Sequence, residues 1–365
     1  MTLHLYFARR FLISFMGLTG VFFILLALFG LMEQLRRFSM QELGILRVLQ
    51  MLMLNVPKEL YQIFPLIMIL SSLVLFLNLA RSSELVVARA SGRSGLMILL
   101  APVSVALAIG LFGVTTINPI VAATIKQYDT LSQFYRTGTS RILSLGTNGI
   151  WLRQGTPEGQ TVIFAAGANS DASTLLDVDF VAYEGSGGPS QRIIAERAEL
   201  KDGIWLLTNG KSWPLLRGEN AEALAQNFAE LQIATTLTRE QIQDGFGKPS
   251  AISVWELPGL INQLEAAGFS ARRHQMWLQL ELSQPVFLVA MVLVAAAFTM
   301  GHVRMGRAGL ASLAATLSGF GLYYVRNFAR ILGENGQIPI ELAAWAPPIA
   351  SVLLALGLIL HLEDG

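Results

Sequence analysis

The chain has no cysteine among its 365 residues. That removes disulfide scaffolds, thiolate zinc sites and iron–sulfur clusters, and it is compatible with an oxidising compartment outside the cytoplasm. Histidine is scarce as well. His4, His274, His302 and His361 are the only four, and none is spaced for a metal with another histidine or a carboxylate; each is expected near a membrane–water boundary. Charged residues make up 14% and hydrophobic ones 53%, whereas a soluble domain carries about a quarter charged residues. The net charge of +1 lacks the basic surplus of nucleic-acid proteins, so no nucleic-acid partner is expected. Catalytic motifs are missing too. Gly210-Lys211-Ser212 matches the end of a P-loop, but the first glycine position is Trp205. No G-x-S-x-G elbow stands out. Nothing makes a case for an enzyme or for a cofactor in this chain, and any ATP hydrolysis must come from another subunit.

What the chain has in quantity is apolar runs. Six can cross a bilayer, which takes about 20 helical residues: 11–32, 60–80, 94–125, 282–303, 308–325 and 342–360. Arg9 and Arg10 precede the first, as in a signal peptide, but the run is too long for an h-region and has no clear small-x-small cleavage site. It reads as a membrane anchor. An even count puts both termini on one side. Arg9, Arg10, Arg81, Arg89, Arg93, Arg304 and Arg307 fall in one set of loops, against Arg36, Arg37, Arg47, Lys58, Arg326 and Arg330 on the other side. That modest bias puts both termini in the cytoplasm, leaving the long insert outside.

The insert changes character. Leu176, Val178, Phe180 and Ala182 alternate with Asp177, Asp179, Val181 and Tyr183, and residues 228–237 repeat the pattern. Asp202-Gly203 and Asn209-Gly210 are hairpin-turn signals around a strand Ile204–Leu207. The spacing predicts about 110 residues of antiparallel β-structure between 138 and 250, as a sandwich or jelly roll. A connecting helix about 253–267 follows, with Ser253 as a cap, a stripe of Leu257, Leu260, Ile261 and Leu264, and Gly268 as its stop. The expected organisation is membrane α-helical: residues 1–126 with spans one to three, 127–270 with the inserted periplasmic β domain and connecting helix, and 271–365 with spans four to six.

Polar groups at helix ends carry the functional signal. Glu33, Arg36 and Arg37 lie at i, i+3 and i+4, on one helix face at the outer end of span one. They can anchor the helix among headgroups, or bind the phosphates of an anionic lipid, which suits the arginine fork. The cytoplasmic loop 81–93 reads as a short amphipathic helix about 82–92, capped by serine and stopped by glycine; it is either a docking knob for a cytoplasmic partner or a charged loop on the membrane. Glu281, Arg326 and Arg330 lie in or beside spans, where charges either face a cavity or snorkel to the interface. Span five carries Gly309, Ala311, Ser312, Ala315, Ser318 and Gly319, small residues that allow close helix packing.

These residues have a familiar arrangement. Asn55-Val56-Pro57-Lys58, Phe64-Pro65, Ser83-Glu84-Leu85-Val86-Val87 and Ala90-Ser91-Gly92 resemble the Lpt permease family, the membrane subunits of the bacterial lipopolysaccharide transport ABC exporter. Glu33-Gln34-Leu35-Arg36-Arg37 and Gly149-Ile150-Trp151 are more similar to its G-type subunit than to the F-type partner. The resemblance covers essentially the whole chain. It implies a heterodimer with the F-type permease, a cytoplasmic LptB-like ATPase dimer that binds ATP and Mg, and an LptC-like single-span periplasmic jelly-roll protein. Lipopolysaccharide would enter a cavity open to the outer leaflet and pass to a periplasmic bridge. By the same resemblance, Glu84, Leu85, Arg89, Ala90, Ser91 and Gly92 belong to a coupling helix in the ATPase groove, and Glu33, Arg36 and Arg37 match an acid and two lysines that contact lipid phosphates. A further family lysine falls at Gly30, a departure from the phosphate pattern. A family basic residue near the start of span four falls on Glu281, and its role is not carried over. The F-type subunit of the same exporter is one alternative, and two readings of other kinds stand beside it. The first is a membrane scaffold or sensor whose external β domain binds a protein. The second is a lipoprotein permease, in which the large external domain usually follows the first span rather than the third.

Overall fold

A computed structural model describes residues 2–37, 44–90, 94–137, 143–146, 149–156, 159–169, 173–184, 188–201, 203–215, 220–235, 237–238, 242, 248–266, 268–300 and 308–364. The chain divides into two compact units. One comprises Met1–Asp129, Ser250–Trp255 and Arg272–Gly365; the other comprises Thr130–Pro249 and Glu256–Ala271.

The first unit is helical. α1 (Thr2–Arg37) is followed by α2 (Ile45–Gln62), α3 (Phe64–Arg81), the short α4 (Glu84–Ala90) and α5 (Gly95–Phe112). A π-helical turn, Gly113–Ile117, joins α5 to α6 (Asn118–Thr137) without a break. After the insert come α8 (Arg272–Thr299), α9 (Ala308–Glu334) and α10 (Ile340–Asp364). Among the described residues, five helical stretches are long and apolar enough to cross a membrane: Leu3–Arg36, Phe64–Arg81, Gly95–Ser132, Arg272–Thr299 and Ile340–His361. The predicted span 308–325 lies in α9, a 27-residue helix outside this set. α2 was not anticipated. Val48, Met51, Leu52 and Val56 give it one buried face at helical spacing.

α8 is the centre of this unit. In its apolar stretch 78% of residues are buried, against 11% in α1, so α8 is enclosed by helices while α1 lies at the periphery. It packs against α3, α5, α9 and α10. At the α5 crossing Gly110 has no room for a side chain: a Cβ there would lie 2.5 Å from Pro285 Cα. Gly319 of α9 likewise meets the side chain of Ile69, so one of the predicted small residues does serve helix packing.

Among the described residues the second unit contains seven strands: β1 (Leu143–Gly146), β2 (Gly149–Thr156), β3 (Gly159–Ala168), β4 (Thr174–Glu184), β5 (Gly188–Lys201), β6 (Ile204–Pro214) and β7 (Gln226–Ala234). All pair antiparallel and in sequence order, so the predicted inserted β domain is observed as an up-and-down meander. Helix α7 (Leu257–Ala266) follows, burying Leu257, Ile261 and Leu264, and Gly268 beyond it has φ +84°. That is the left-handed stop expected of a glycine.

Two local expectations are corrected. Asn209-Gly210 is not a turn; it lies inside β6, with Asn209 at φ +53°. The pair supplies a left-handed residue for a bend within the strand, and the ring of Phe228 lies against Gly210. Leu176 is not inward: it is 40% exposed, and Leu175 is buried instead. Asp177, at φ +48°, resets the alternation before Val178 and Phe180. These are parts of one feature. Pairing lapses along a row formed by Ala166, Asp177, Glu196, Asn209 and Ala229, so a crease crosses β3 to β7. On either side of it the buried side chains change parity: Ile163 and Ala165 against Ala168, and Ile193 and Ala195 against Ala198 and Leu200.

Candidate functional site

Three polar clusters lie in the helical unit. The first is at the C-terminal end of α1. Glu33 and Arg36 are exposed there, and the neighbouring Phe29 and Met32 are each 67% exposed. Arg37 ends the helix, and its side chain lies outside the described residues. Gln34 points the other way; it is buried and donates to the Tyr128 hydroxyl at 2.9 Å. That bond fixes the rotation of the helix end and turns Glu33 and Arg36 outward. Gly30 also has a packing reason. A Cβ there would come 2.7 Å from the Leu52 side chain of α2, so α2 occupies the space a lysine would need.

The second cluster surrounds α4. Ser83, at φ +58°, turns the chain out of α3 and into this helix. The Glu84 carboxylate accepts from Arg10 Nη1 of α1 and from the Ser82 hydroxyl, both at 2.8 Å. Partial burial pushes the Glu84 carboxyl up, but the hydrogen bonds from Arg10 and Ser82 together outweigh it, and the carboxyl sits below its ordinary value. Arg10 also lies over the Tyr6 ring at 5.4 Å. Leu85 is buried, Val87 is 68% exposed and Ala90 is exposed. The side chain of Arg89, and Ser91 and Gly92 altogether, lie outside the described residues.

The third cluster is inside the helical unit. Glu281 of α8 is buried and accepts from the Tyr61 hydroxyl of α2 at 2.6 Å. Arg326 of α9 donates to Gln284 Oε1 at 2.6 Å and to the Leu280 carbonyl at 2.8 Å, with its guanidinium 4.6 Å from the Phe287 ring centre. Arg330 pairs with Glu334 at 3.3 Å. Glu281, Arg326 and Arg330 line one cavity of about 90 Å³ together with Tyr61, Trp277 and Gln284. Of the two readings for these charges, the cavity is the observed one. Nearby, the π-helical turn exposes backbone that Trp255 reaches through its indole N–H, 3.2 Å from the Thr115 carbonyl, and Asn118 accepts from the Val254 amide at 2.9 Å. Tyr61, Gln284 and Arg10 were not singled out in the sequence. Their partners lie 220, 42 and 74 residues away, and no local pattern marks pairs at such separations.

Spanning helices around one buried helix, a charged end on a peripheral span, a short helix between two spans and an inserted antiparallel sheet together define a polytopic membrane protein of permease architecture. Within that class the chain belongs to the LptF/LptG family: the family model described as lipopolysaccharide export system permease LptF/LptG matches residues 5–361. It is similar to the Haemophilus influenzae lipopolysaccharide export system permease protein LptG, with 24% identity over 363 residues, covering 95% of this chain and 96% of that protein. The Escherichia coli K12 protein of the same name is 24% identical over 339 residues, covering 91% and 89%. The chain is an LptG-like, multi-pass inner-membrane permease subunit, a transporter component rather than an enzyme.

Proposed function

We propose that this chain is the G-type permease subunit of an ABC exporter that takes lipopolysaccharide from the outer leaflet of the inner membrane and passes it to a periplasmic bridge towards the outer membrane. The observation that carries the reading is the end of α1. Glu33 and Arg36 are exposed on a span whose own surface is mostly uncovered apolar residue, on a chain matched along 5–361 to a lipopolysaccharide permease family. A guanidinium there meets lipid phosphates with charge-assisted, bidentate geometry. In this reading Glu33, Arg36 and Arg37 hold the phosphates. Glu84, Leu85, Arg89, Ala90, Ser91 and Gly92 belong to a coupling helix seated in the groove of a cytoplasmic ATPase dimer that binds ATP and Mg, with the buried Leu85 holding that helix to the rest of the helical unit. An F-type permease completes the cavity, and a single-span periplasmic jelly-roll protein receives the lipid. Both termini are cytoplasmic and the β domain is periplasmic.

The test is photocrosslinking to lipopolysaccharide from a probe at Leu35, in complexes with and without the double change Arg36→Glu and Arg37→Glu. Losing one charged hydrogen bond costs about 1.5–3 kcal/mol, or about one to two powers of ten in affinity, so the crosslink should disappear while the ATPase remains bound. An undiminished crosslink would leave these arginines as headgroup anchors.

A further inference from the structure

α1 is held unevenly. Phe7, Phe11 and Phe15, one helical turn apart, are 1%, 0% and 3% exposed, and Phe15 makes an edge contact with Phe64 of α3. From Met16 to Glu33 no residue of α1 is buried. The helix is therefore gripped at its N-terminal third and again at Gln34, with a long stretch between that no neighbouring helix encloses. Arg10 lies inside the gripped third, on the turn between Phe7 and Phe11, and its guanidinium reaches Glu84, the first residue of α4.

α4 is thereby attached to α1 through one residue and to the apolar cluster of the helical unit through the next. Glu84 takes the Arg10 hydrogen bond, and Leu85 joins the same apolar cluster as Phe7 and Phe11. One polar and one apolar contact on neighbouring residues fix the rotation of a seven-residue helix as well as its position. An ion pair with side chains 36% and 31% exposed stabilises little in itself; its consequence is geometric. α1 is one uninterrupted helix, so Arg10 and Arg36 are rigidly connected across about 39 Å at 1.5 Å per residue.

We propose that Arg10 is a positioning residue that ties α4 to α1, so that a displacement of α4 by the ATPase is delivered to the span that carries Arg36 and Arg37. This rests on the reading of α4 as the ATPase-facing helix. The coupling runs through one rigid element that meets α4 near its start and carries Arg36 and Arg37 at its end, a contiguous physical route between distant sites. It also separates the two arginines at the start of α1: Arg10 grips α4, whereas the exposed Arg9 has only headgroup level in common with it.

The experiment uses the whole complex, with its F-type subunit and ATPase, in proteoliposomes. ATPase binding, ATP hydrolysis and lipopolysaccharide release to an acceptor are measured for the native chain, Arg10→Glu, Arg10→Lys and Arg9→Glu. Arg10→Glu should leave ATPase binding intact and lower lipid released per ATP by about fivefold or more, the lower range of typical coupling. Arg9→Glu should leave that ratio unchanged, and Arg10→Lys, which keeps the charge facing Glu84, should retain most of it. Equal ratios for the native chain and Arg10→Glu, or equal losses for Arg9→Glu and Arg10→Glu, would overturn the inference and leave the exporter reading standing. A native chain that binds no ATPase would overturn the docking reading and this inference with it. The contact is checked separately: in this cysteine-free chain, Arg10→Cys with Glu84→Cys should be joined by a bifunctional thiol reagent long enough to replace the two side chains, and failure in every nucleotide state would also overturn the inference.

Discussion

Single residues in this protein act through partners far away in the chain. Glu281 is buried among helices with Tyr61 as its donor. Removing one partner of a buried hydrogen bond leaves the other unsatisfied and costs about 1–3 kcal/mol in soluble proteins, but pairs within membrane proteins average nearer 0.6 kcal/mol. Tyr61→Phe should therefore destabilise the protein by about 1–2 kcal/mol, read as a lower unfolding midpoint in detergent. Adding Glu281→Gln should cost less than the sum of the two single changes, because both act on the same hydrogen bond. The Glu84 contact has a definite pH sign. Its carboxyl is held below its ordinary value, so the contact stabilises the fold above that value and is lost as pH falls through the lower, folded-state one. Crosslinking between lysine introduced as Arg10→Lys and Glu84, by a carboxyl-to-amine reagent, should persist through mild acid and fade only below the ordinary carboxylate range. These partners were invisible in the sequence because hydrophobic periodicity reports which face is buried, not which distant polar group waits there. The cluster at Glu33, Arg36 and Arg37 was legible for the opposite reason: its i, i+3, i+4 spacing is local.

At the scale of the element, the apolar spans were legible because the bilayer sets one length, and a 20-residue run without charge has few other uses. α2 escaped because its apolar residues lie on a stripe broken by Arg47, Lys58 and Glu59, so no window is apolar throughout. The strands were found through their period of two, but Leu176 was put on the same face as Val178 and Phe180, since a residue in a left-handed conformation resets the period without announcing itself. Helix crossings make a prediction of their own. Gly110→Ala would force a methyl group against the Pro285 backbone, where nothing flexible can yield, whereas Gly17 and Gly20 on α1 have nothing within 4 Å. Overpacking costs about 1–3 kcal/mol. Gly110→Ala should therefore lower the unfolding midpoint clearly, and Gly17→Ala or Gly20→Ala should leave it unchanged or slightly raised.

For the whole molecule the primary question is which unit faces which compartment. With no native cysteine, single cysteines at Lys201 in β5 and Ala90 in α4 report it directly. In intact spheroplasts an impermeant thiol reagent should label Lys201→Cys and spare Ala90→Cys; labelling of the second would reverse the proposed topology. The sheet carries a different kind of constraint. The crease through Ala166, Asp177, Glu196, Asn209 and Ala229 is an offset of half a wavelength in the pleat, and five strands make it in step. Deleting Asn209 would put Trp205 and Leu207 out of phase with Leu200 and Ala198, their partners in the adjoining strand. Trp205, buried at 0% exposure, would then face outward, and proteolysis of the β unit should quicken. Deleting two adjacent residues preserves the phase and should be better tolerated. Insertions and deletions in this sheet are thus quantised: a strand can change length by even steps on its own, but by a single residue only if its neighbours change with it.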